Sequence, residues 1–351
     1  MRASVLTGIG EMEVRERDRP DPQSGAVLVR VGATGVCMTD YHMYHGSFEV
    51  ETPVVLGHES AGTVAAVGDD VRDFAVGDRV ALNPVVPCDA CPACKRGNTH
   101  LCANNASIGG AGETVIDGAF AEYVRVPAAS VEDVGELPFE QAALAEPLGC
   151  CVHGADRSGL QQGDSAALIG AGPIGLMLLQ TLHNRGVSPI AVAELDDDRR
   201  ALAAELGADL VVDPAERDTV EAVREEIGPV DAGIEVVGKV ATIEQAYDVT
   251  AKGGNTLIFG VPEQDATMEV NPFDVYFREV DLRGTYALSQ ESFERAVTLL
   301  RGGRIDAERL VTEEIGLDDI PSAFDRMADA EGLKKIVRPD EDYRGAQGGA
   351  Q

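Results

Sequence analysis

A short glycine-rich turn constrains this fold more than any other stretch of the sequence. An apolar run at 165–169 leads into Gly170-Ala-Gly-Pro-Ile-Gly175, and the helix-like stretch from Leu176 to Gln180 follows. A second apolar run at 190–193 ends in the acidic Glu194. Strand, tight turn, helix and a terminal acid about twenty residues past the glycines form the fingerprint of a dinucleotide-binding unit.

Each part of this turn has a predicted task. Gly170 permits the tight turn, Gly172 lets backbone amides approach a pyrophosphate, and Gly175 lets the helix pack on the sheet. Glu194 is expected to accept hydrogen bonds from ribose hydroxyls. A plain glycine turn between two core elements is the alternative interpretation. The predicted cofactor-binding set is Gly170, Gly172, Pro173, Ile174, Gly175, Glu194 and Arg199.

Strand and helix patterns alternate on either side of this fingerprint. Strands are predicted at 209–212, 232–237, 255–260 and 280–284, and helices at 216–227 and 242–250. This rhythm is typical of a doubly wound parallel sheet. We therefore predict an α/β fold in which residues 150–286 form a Rossmann domain.

The first 149 residues have a different character and predict a mostly β domain. Strand-like runs lie at 26–33, 60–67 and 119–126, and a helix is predicted at 139–146. After residue 286, a helix at 291–301 and a strand at 335–338 are too little for another unit of the sheet. Residues 287–351 are therefore expected to return to the first domain, with a disordered tail at 345–351.

The charge of the chain excludes two classes of partner. Sixty Asp and Glu against 29 Lys and Arg give a net charge of −31, and the acids are spread over the whole sequence. Such a field repels nucleic acids and anionic membranes, so we expect neither as a partner. The same charge suggests a protein adapted to high salt, because salt screens repulsion among surface carboxylates.

The sequence also predicts a cytoplasmic location. The first eight residues contain no apolar signal segment, and the longest uncharged apolar run, 166–179, is broken by glycines and too short to span a bilayer. The seven cysteines are an odd number, and their spacing favours metal binding over a secreted disulfide framework. Cys150 and Cys151 are interpreted as core thiols.

Four of the cysteines are clustered within fifteen residues. Cys88, Cys91, Cys94 and Cys102 lie in a loop-rich lobe at about 85–106. Four sulfur ligands without histidine predict a closed, tetrahedral, structural zinc site. An iron–sulfur cluster is the competing use of four cysteines.

A second set of metal-ligand types is separated in sequence. Cys37 lies in Gly35-Val-Cys-Met-Thr39-Asp40-Tyr-His42, and His58 and Glu59 follow Leu56-Gly57. Cysteine, histidine and glutamate all bind zinc, but only the fold can bring them together. A buried hydrophobic cysteine and a His-Glu pair on a turn would be the alternative.

Taken together, these motifs resemble the zinc-dependent medium-chain dehydrogenases, and within them the sorbitol (polyol) dehydrogenase group. The shared features run in order along nearly the whole chain. They are the Cys37 and His58-Glu59 motifs, Gly77-Asp-Arg-Val80, the four cysteines, Glu146-Pro147 and the glycine turn.

The resemblance implies a GroES-like catalytic domain, a Rossmann domain and two zinc ions per chain. The catalytic zinc would be held by Cys37, His58 and Glu59, with Glu146 near it or ligating it. A small-molecule alcohol substrate, NAD as cofactor and a homotetramer or dimer are implied as well. The zinc would lower the pKa of the alcohol hydroxyl, hydride would pass to the nicotinamide, and Thr39 and His42 would relay the proton.

The sequence leaves the substrate open among polyols, threonine-like amino alcohols, butanediols and aldoses. A zinc-free reductase and a structural or binding relative are the rival classes, and the intact ligand residues argue against both. Arg199 also complicates the choice of NAD, because an arginine near the ribose can accommodate NADP.

The charge of −31 predicts a strong response to salt. Melting temperature and activity should both rise from dilute buffer toward molar potassium chloride, because the screening length shortens to a few ångström. Differential scanning calorimetry over a salt series measures the first effect. Equal stability in dilute buffer and molar salt would show that the halophile interpretation is wrong.

Overall fold

The structure is a computed structural model that describes residues 1–340, 342 and 343. It separates into two compact units. The first comprises residues 1–149 together with the chain from Leu288 onward, and the second runs from Cys150 to Ala287. The tail at 345–351, predicted to be disordered, lies outside the described residues.

Strands dominate the first 149 residues. They are β1 (Arg2–Gly8), β2 (Glu11–Glu16), β3 (Ala26–Gly35), β4 (Val54–Val55), β5 (Glu59–Val67), β6 (Arg79–Leu82), β7 (Val85–Val86), β8 (Ala106–Ile108), β9 (Thr114–Ile116), β10 (Tyr123–Pro127) and β11 (Val131–Asp133). The helices are α1 (Met38–Tyr44), α2 (Pro92–Lys95), α3 (Phe139–Ala142) and α4 (Ala145–Ser158), with short 3-10 turns at Thr99–Leu101 and Ala128–Ser130.

The valine-rich β3 is the centre of the largest sheet in this unit. Val27, Val29 and Val31 are buried in one apolar cluster with residues of β5, β6 and β10. Within the described residues the sheet has the order β11-β6-β5-β3-β19-β18, with β10 also paired to β3. The register of the antiparallel pair places Gly35, the last residue of β3, opposite Glu59, the first residue of β5.

The second unit is a six-stranded parallel sheet with helical connections. Its elements are β12 (Ala166–Ile169), α5 (Pro173–Asn184), β13 (Ile190–Ala193), α6 (Asp197–Glu205), β14 (Leu210–Val212), α7 (Thr219–Glu226), β15 (Val230–Glu235), α8 (Val240–Val249), β16 (Thr250–Ile258), α9 (Pro272–Arg278) and β17 (Asp281–Gly284). The strand order is β14-β13-β12-β15-β16-β17. This is the 3-2-1-4-5-6 order of the Rossmann fold, and it confirms the predicted doubly wound sheet.

The strand order reverses at β12, and the glycine turn lies at that point. All four residues of β12 are buried, as expected for a strand covered on both faces. Ligands of such sheets bind at the carboxyl ends of the strands where the order reverses. The turn after Ile169 is therefore placed where the fold binds a dinucleotide.

The chain from Leu288 adds further elements to the first unit. These are α10 (Gln290–Arg301), β18 (Val311–Ile315), α11 (Ile320–Ala328) and β19 (Lys334–Val337), with 3-10 turns at Glu308–Leu310 and Leu317–Asp319. β19 pairs antiparallel with β3, so that Ile336 lies opposite Gly35. The last strand of the chain thus lies beside the strand that leads to Cys37.

Two element predictions differ from the structure. The helix predicted at 139–146 is interrupted after Ala142 and restarts at Ala145 as the longer α4. The strand predicted at 119–126 begins only at Tyr123, because residues 119 and 120 form backbone hydrogen bonds to Gly57 and Leu56 instead. Within the described residues, no helix is long and apolar enough to cross a membrane.

The glycine turn gives a test of packing with an internal control. A Cβ at Gly175 would lie 2.2 Å from the Gly170 carbonyl oxygen, whereas no atom of the described chain lies within 4 Å of a Cβ at Gly172. Gly175→Ala should therefore cost about 1–3 kcal/mol of unfolding free energy, and Gly172→Ala less than about 0.5. Urea unfolding of both variants measures this. Equal losses would contradict the packing argument.

Candidate active site and metal centres

The end of β3 and the start of β5 build the first cluster. Cys37 follows β3 directly and is the N-cap residue of α1. His58 precedes β5, and Glu59 is its first residue. Because Gly35 and Glu59 are paired across the strands, residues twenty positions apart in sequence meet at one edge of the sheet.

The ligand atoms of these three residues lie close enough to share an ion. The Cys37 sulfur, a His58 ring nitrogen and a Glu59 carboxylate oxygen are all within 4.8 Å of one another. His58 is 6% exposed and Glu59 1%. Sulfur, imidazole nitrogen and carboxylate oxygen are a donor set that suits zinc, so the residues present fit this metal.

Asp40 supports the cluster from beneath. Its Oδ2 accepts a hydrogen bond from the Cys37 amide at 2.9 Å, and its Oδ1 accepts one from the Gly57 amide at 3.3 Å. The same Oδ1 lies 3.3 Å from His58 Nδ1. A carboxylate beside one ring nitrogen orients the other toward a metal.

Asp40 also affects the charge of the histidine. Burial alone would lower the pKa of His58, but the Asp40 and Cys37 side chains raise it well above its ordinary value. The sequence analysis did not assign Asp40 a role. The signal was its place three residues after Cys37, where an N3 acid hydrogen-bonds to the N-cap backbone.

Lys334 is a second residue that the sequence analysis missed. It is 5% exposed, and its ammonium donates hydrogen bonds to Glu59 Oε1 and to the Val36 carbonyl oxygen, the latter at 3.2 Å. Burial would lower the pKa of Lys334, but the charges of Glu59, Cys37 and Glu146 raise it above its ordinary value. Lys334 is therefore a buried cation.

The structure places the other predicted catalytic residues as follows. Thr39 is half-buried in the first turn of α1. His42 lies farther along α1, and its Nδ1 is buried without a hydrogen-bond partner among the described residues. Burial, followed by the charge of His45, lowers the pKa of His42. Glu146 is buried in the first turn of α4 and is not one of the three grouped ligands.

The four-cysteine cluster forms a separate site. The sulfurs of Cys88, Cys91, Cys94 and Cys102 all lie within 4.8 Å of one another. Backbone amides point at them: the Cys91 amide donates to Cys88 Sγ at 3.4 Å, and the Cys88 amide to Cys102 Sγ at 3.3 Å. The four sulfurs match the tetrahedral donor set of a structural zinc.

The proton affinities in this cluster diverge. Backbone hydrogen bonds, first from Cys94, lower the pKa of Cys91 to about 6, whereas burial and the neighbouring sulfurs raise the pKa of Cys94 to about 12. Thiolates so close together repel one another, which keeps one of them protonated. A divalent cation would favour the ionised form of all four.

The predicted cofactor residues lie together in the second unit. Gly172 is the N-cap of α5 and provides no side-chain cap, so the first backbone amides of the helix are available to a phosphate. Glu194 follows β13 and accepts hydrogen bonds from the amides of Ala171, Leu195 and Asp196, at 2.7–3.1 Å. These bonds fix its carboxylate beside the glycine turn.

The remaining predicted residues have mixed environments. Arg199 is half-buried in α6, and its backbone amide donates to Asp196 Oδ1 at 2.9 Å. The adjacent Arg200 pairs with Asp197 and Asp213. Cys151 is buried, and its thiol contacts the carbonyl oxygen of Ile174 at 3.6 Å, in agreement with a core thiol.

Comparison with known proteins identifies the family. Residues 23–136 match the alcohol dehydrogenase GroES-like domain, and residues 173–302 match the zinc-binding dehydrogenase domain. The sorbitol dehydrogenase of Bacillus subtilis (strain 168) is 33% identical over 97% of both chains. The chain belongs to the zinc-dependent medium-chain alcohol dehydrogenases.

Other relatives lead to the same group. The D-altritol 5-dehydrogenase of Agrobacterium fabrum is 33% identical over 96% of this chain and 98% of its own. A zinc-binding dehydrogenase structure from Sinorhizobium meliloti 1021, bound to NADP, has a TM-score of 0.92 at 36% identity, covering 96% of this chain and 99% of that one. The expected membership of the sorbitol and polyol dehydrogenase group is confirmed, as are the GroES-like and Rossmann folds.

Two ligand clusters predict two zinc ions with separable effects. Cys37→Ser should remove one zinc and leave the melting temperature close to that of the unmodified protein. Cys94→Ser should also remove one zinc but lower the melting temperature strongly, because structural metal binding contributes folding free energy. Metal analysis and calorimetry on both variants measure this. Unmodified protein that is active without zinc would contradict the prediction.

Proposed function

We propose that this dehydrogenase oxidises a secondary hydroxyl of a polyol or similar small alcohol, with NAD as hydride acceptor and zinc at the Cys37–His58–Glu59 cluster. The observation that carries the proposal is the convergence of these three ligand types at the end of β3, in a chain that also has a dinucleotide turn. The sorbitol and altritol dehydrogenases among its relatives support a polyol substrate.

The two bound groups would supply the chemistry that side chains cannot. Zinc is a Lewis acid that lowers the pKa of an alcohol hydroxyl, and the nicotinamide accepts hydride. Cys37 and His58 would hold the metal, with Glu59 or Glu146 as the third protein ligand. Asp40 would keep the His58 ring in a ligating orientation.

Proton transfer is assigned to α1. Thr39 can accept the hydroxyl proton of the substrate and pass it on. His42 is suited to receive it, because its lowered pKa keeps the imidazole neutral near pH 7 and its Nδ1 has no partner among the described residues. Both residues belong to one seven-residue helix that begins beside Cys37.

Glu146 gives the proposal its preference for polyols. Its carboxylate is 8% exposed, and its charge acts on Lys334, which also pairs with Glu59. A carboxylate near the metal offers an acceptor to a second hydroxyl next to the reacting one. Hydrogen-bond discrimination of this kind can be large.

The proposal extends to the organisation of the molecule. Residues 1–149 and 287–351 would form the catalytic domain, and residues 150–286 the cofactor domain. We expect a cytoplasmic homo-oligomer, a tetramer or a dimer, which sedimentation would establish. A zinc-free reductase or a binding protein is the alternative class, and zinc content in purified protein distinguishes it.

A substrate panel tests the reaction directly. Vicinal diols and polyols should be oxidised with higher kcat/KM than primary alcohols, as followed by absorbance of the reduced cofactor. The panel should include L-threonine, a butanediol and an aldose, which are the competing substrates within the family. Ethanol outperforming every polyol would count decisively against this assignment.

Glu194 decides the expected cofactor preference. Its carboxylate is fixed at the end of β13, where it can accept from the ribose hydroxyls and would repel a 2′-phosphate. The nearby acids Asp196 and Asp197 add to this repulsion, and Arg199 is assigned to the adenosine side of an NAD site. NAD is therefore expected to be preferred, although the relative from Sinorhizobium meliloti was found with NADP.

Glu194→Ala should narrow the preference mainly by weakening NAD. Loss of charge-assisted hydrogen bonds predicts about a 10- to 100-fold lower kcat/KM with NAD. Asp198→Ala, which removes an exposed acid from α6, is the matched control and should change little. Parity between the two cofactors, or a preference for NADP in the unmodified protein, would refute the assignment.

A further inference from the structure

Lys334 is placed against the metal cluster by the last strand of the fold. Its strand, β19, lies beside β3, with Ile336 opposite Gly35. This register brings a residue 275 positions away in sequence into contact with Glu59. The ammonium also donates to the Val36 carbonyl oxygen at 3.2 Å, so the backbone that leads to Cys37 fixes its position.

The two oxygens of Glu59 have different environments. Oε1 accepts a hydrogen bond from Lys334. Oε2 lies within ion-pair distance of the same ammonium but is buried without a hydrogen-bond partner among the described residues. A Cβ at Gly35 would lie 2.0 Å from Oε2, so the glycine leaves room for this oxygen. The carboxylate is thus held by Lys334 and still has a free acceptor toward the cluster.

The charge around this carboxylate favours a competition. Cys37, Asp40 and Glu59 can supply three negative charges in a buried region, and Lys334 supplies a positive charge in contact with one of them. A divalent ion bound by Cys37 and His58 would attract the same Glu59 carboxylate. Two cations that share one anion weaken each other's binding.

We propose that Lys334 is a positioning residue that restrains the Glu59 carboxylate in competition with the metal. It thereby weakens metal binding at the Cys37–His58–Glu59 site and limits how firmly Glu59 occupies a coordination position that the substrate needs. This inference rests on the proposed metal-binding role of the three residues. Its measured quantity is metal affinity, which does not depend on the identity of the substrate.

The neighbouring Lys335 provides a matched control. It is 2% exposed, compared with 5% for Lys334. Its ammonium donates to the Glu331 carbonyl oxygen and lies 3.9 Å from a carboxylate oxygen of Glu313, and neither residue belongs to the metal cluster. Removing either charge costs a buried contact, but only Lys334 touches a candidate ligand.

The experiment measures zinc affinity by competition with a chromophoric chelator. Lys334→Met, Lys334→Arg and Lys335→Met are compared with the unmodified full-length protein, and Cys37→Ser supplies the signal of the four-cysteine site alone. Lys334→Met should bind zinc at least about tenfold more tightly, because Glu59 is released to the metal. Lys334→Arg should stay near the unmodified value, and Lys335→Met should remain within about twofold of it.

A purely structural role of Lys334 predicts other results. Lys334→Met would then lower the melting temperature of zinc-loaded and zinc-depleted protein equally, whereas competition predicts a much larger loss in the depleted form. An affinity within twofold of the unmodified protein, or an equal increase in Lys335→Met, overturns the inference. If Cys37→Ser loses no zinc relative to the unmodified protein, the proposed metal site itself is wrong.

A second pair of variants guards against misfolding of Lys334→Met. In Glu59→Gln the competed charge is gone, so adding Lys334→Met should leave zinc affinity unchanged. The double variant also leaves no buried carboxylate unpaired at position 59. A further increase in affinity in the double variant would show that Lys334 acts on the metal without Glu59, contrary to the proposal.

Discussion

The antiparallel pairing of β3 with β5 is the constraint on which the catalytic region depends. It places Gly35 opposite Glu59, so the chain leaving β3 carries Cys37 toward His58. β19 pairs on the other side of β3 and brings Lys334 to the same point. Three strands that are distant in sequence therefore meet at one sheet edge, and their valine-rich interiors keep this edge rigid.

The two metal clusters show how different sequence patterns lead to different chemistry. The four cysteines lie within one short lobe and surround an ion with sulfur, which leaves no position for a substrate. The Cys37 cluster has three mixed ligands held on separate strands, and it is supported by Asp40 and Lys334. A site with three protein ligands keeps a position open, which is the arrangement that catalysis by zinc requires.

The cofactor unit is organised by backbone geometry more than by side chains. Gly170 has φ of +111°, a conformation that side chains disfavour, and Gly175 packs against its carbonyl oxygen. The carboxylate of Glu194 accepts from the Ala171 amide in the same turn. The acid expected to read the ribose is therefore also part of the structure that shapes the phosphate turn.

Local chemistry is what the sequence by itself determined. The glycine turn, the alternating elements after residue 149 and the four clustered cysteines each act over short separations, where spacing and geometry are nearly equivalent. The helix at 139–146 was predicted only in part, because its break at 143–144 follows no strong local signal. Only the tertiary structure brought Cys37 to His58 and Glu59, placed Asp40 beside His58 and buried Lys334 against Glu59. These contacts depend on strand register, which long-range packing decides, so no short stretch of the sequence contains them.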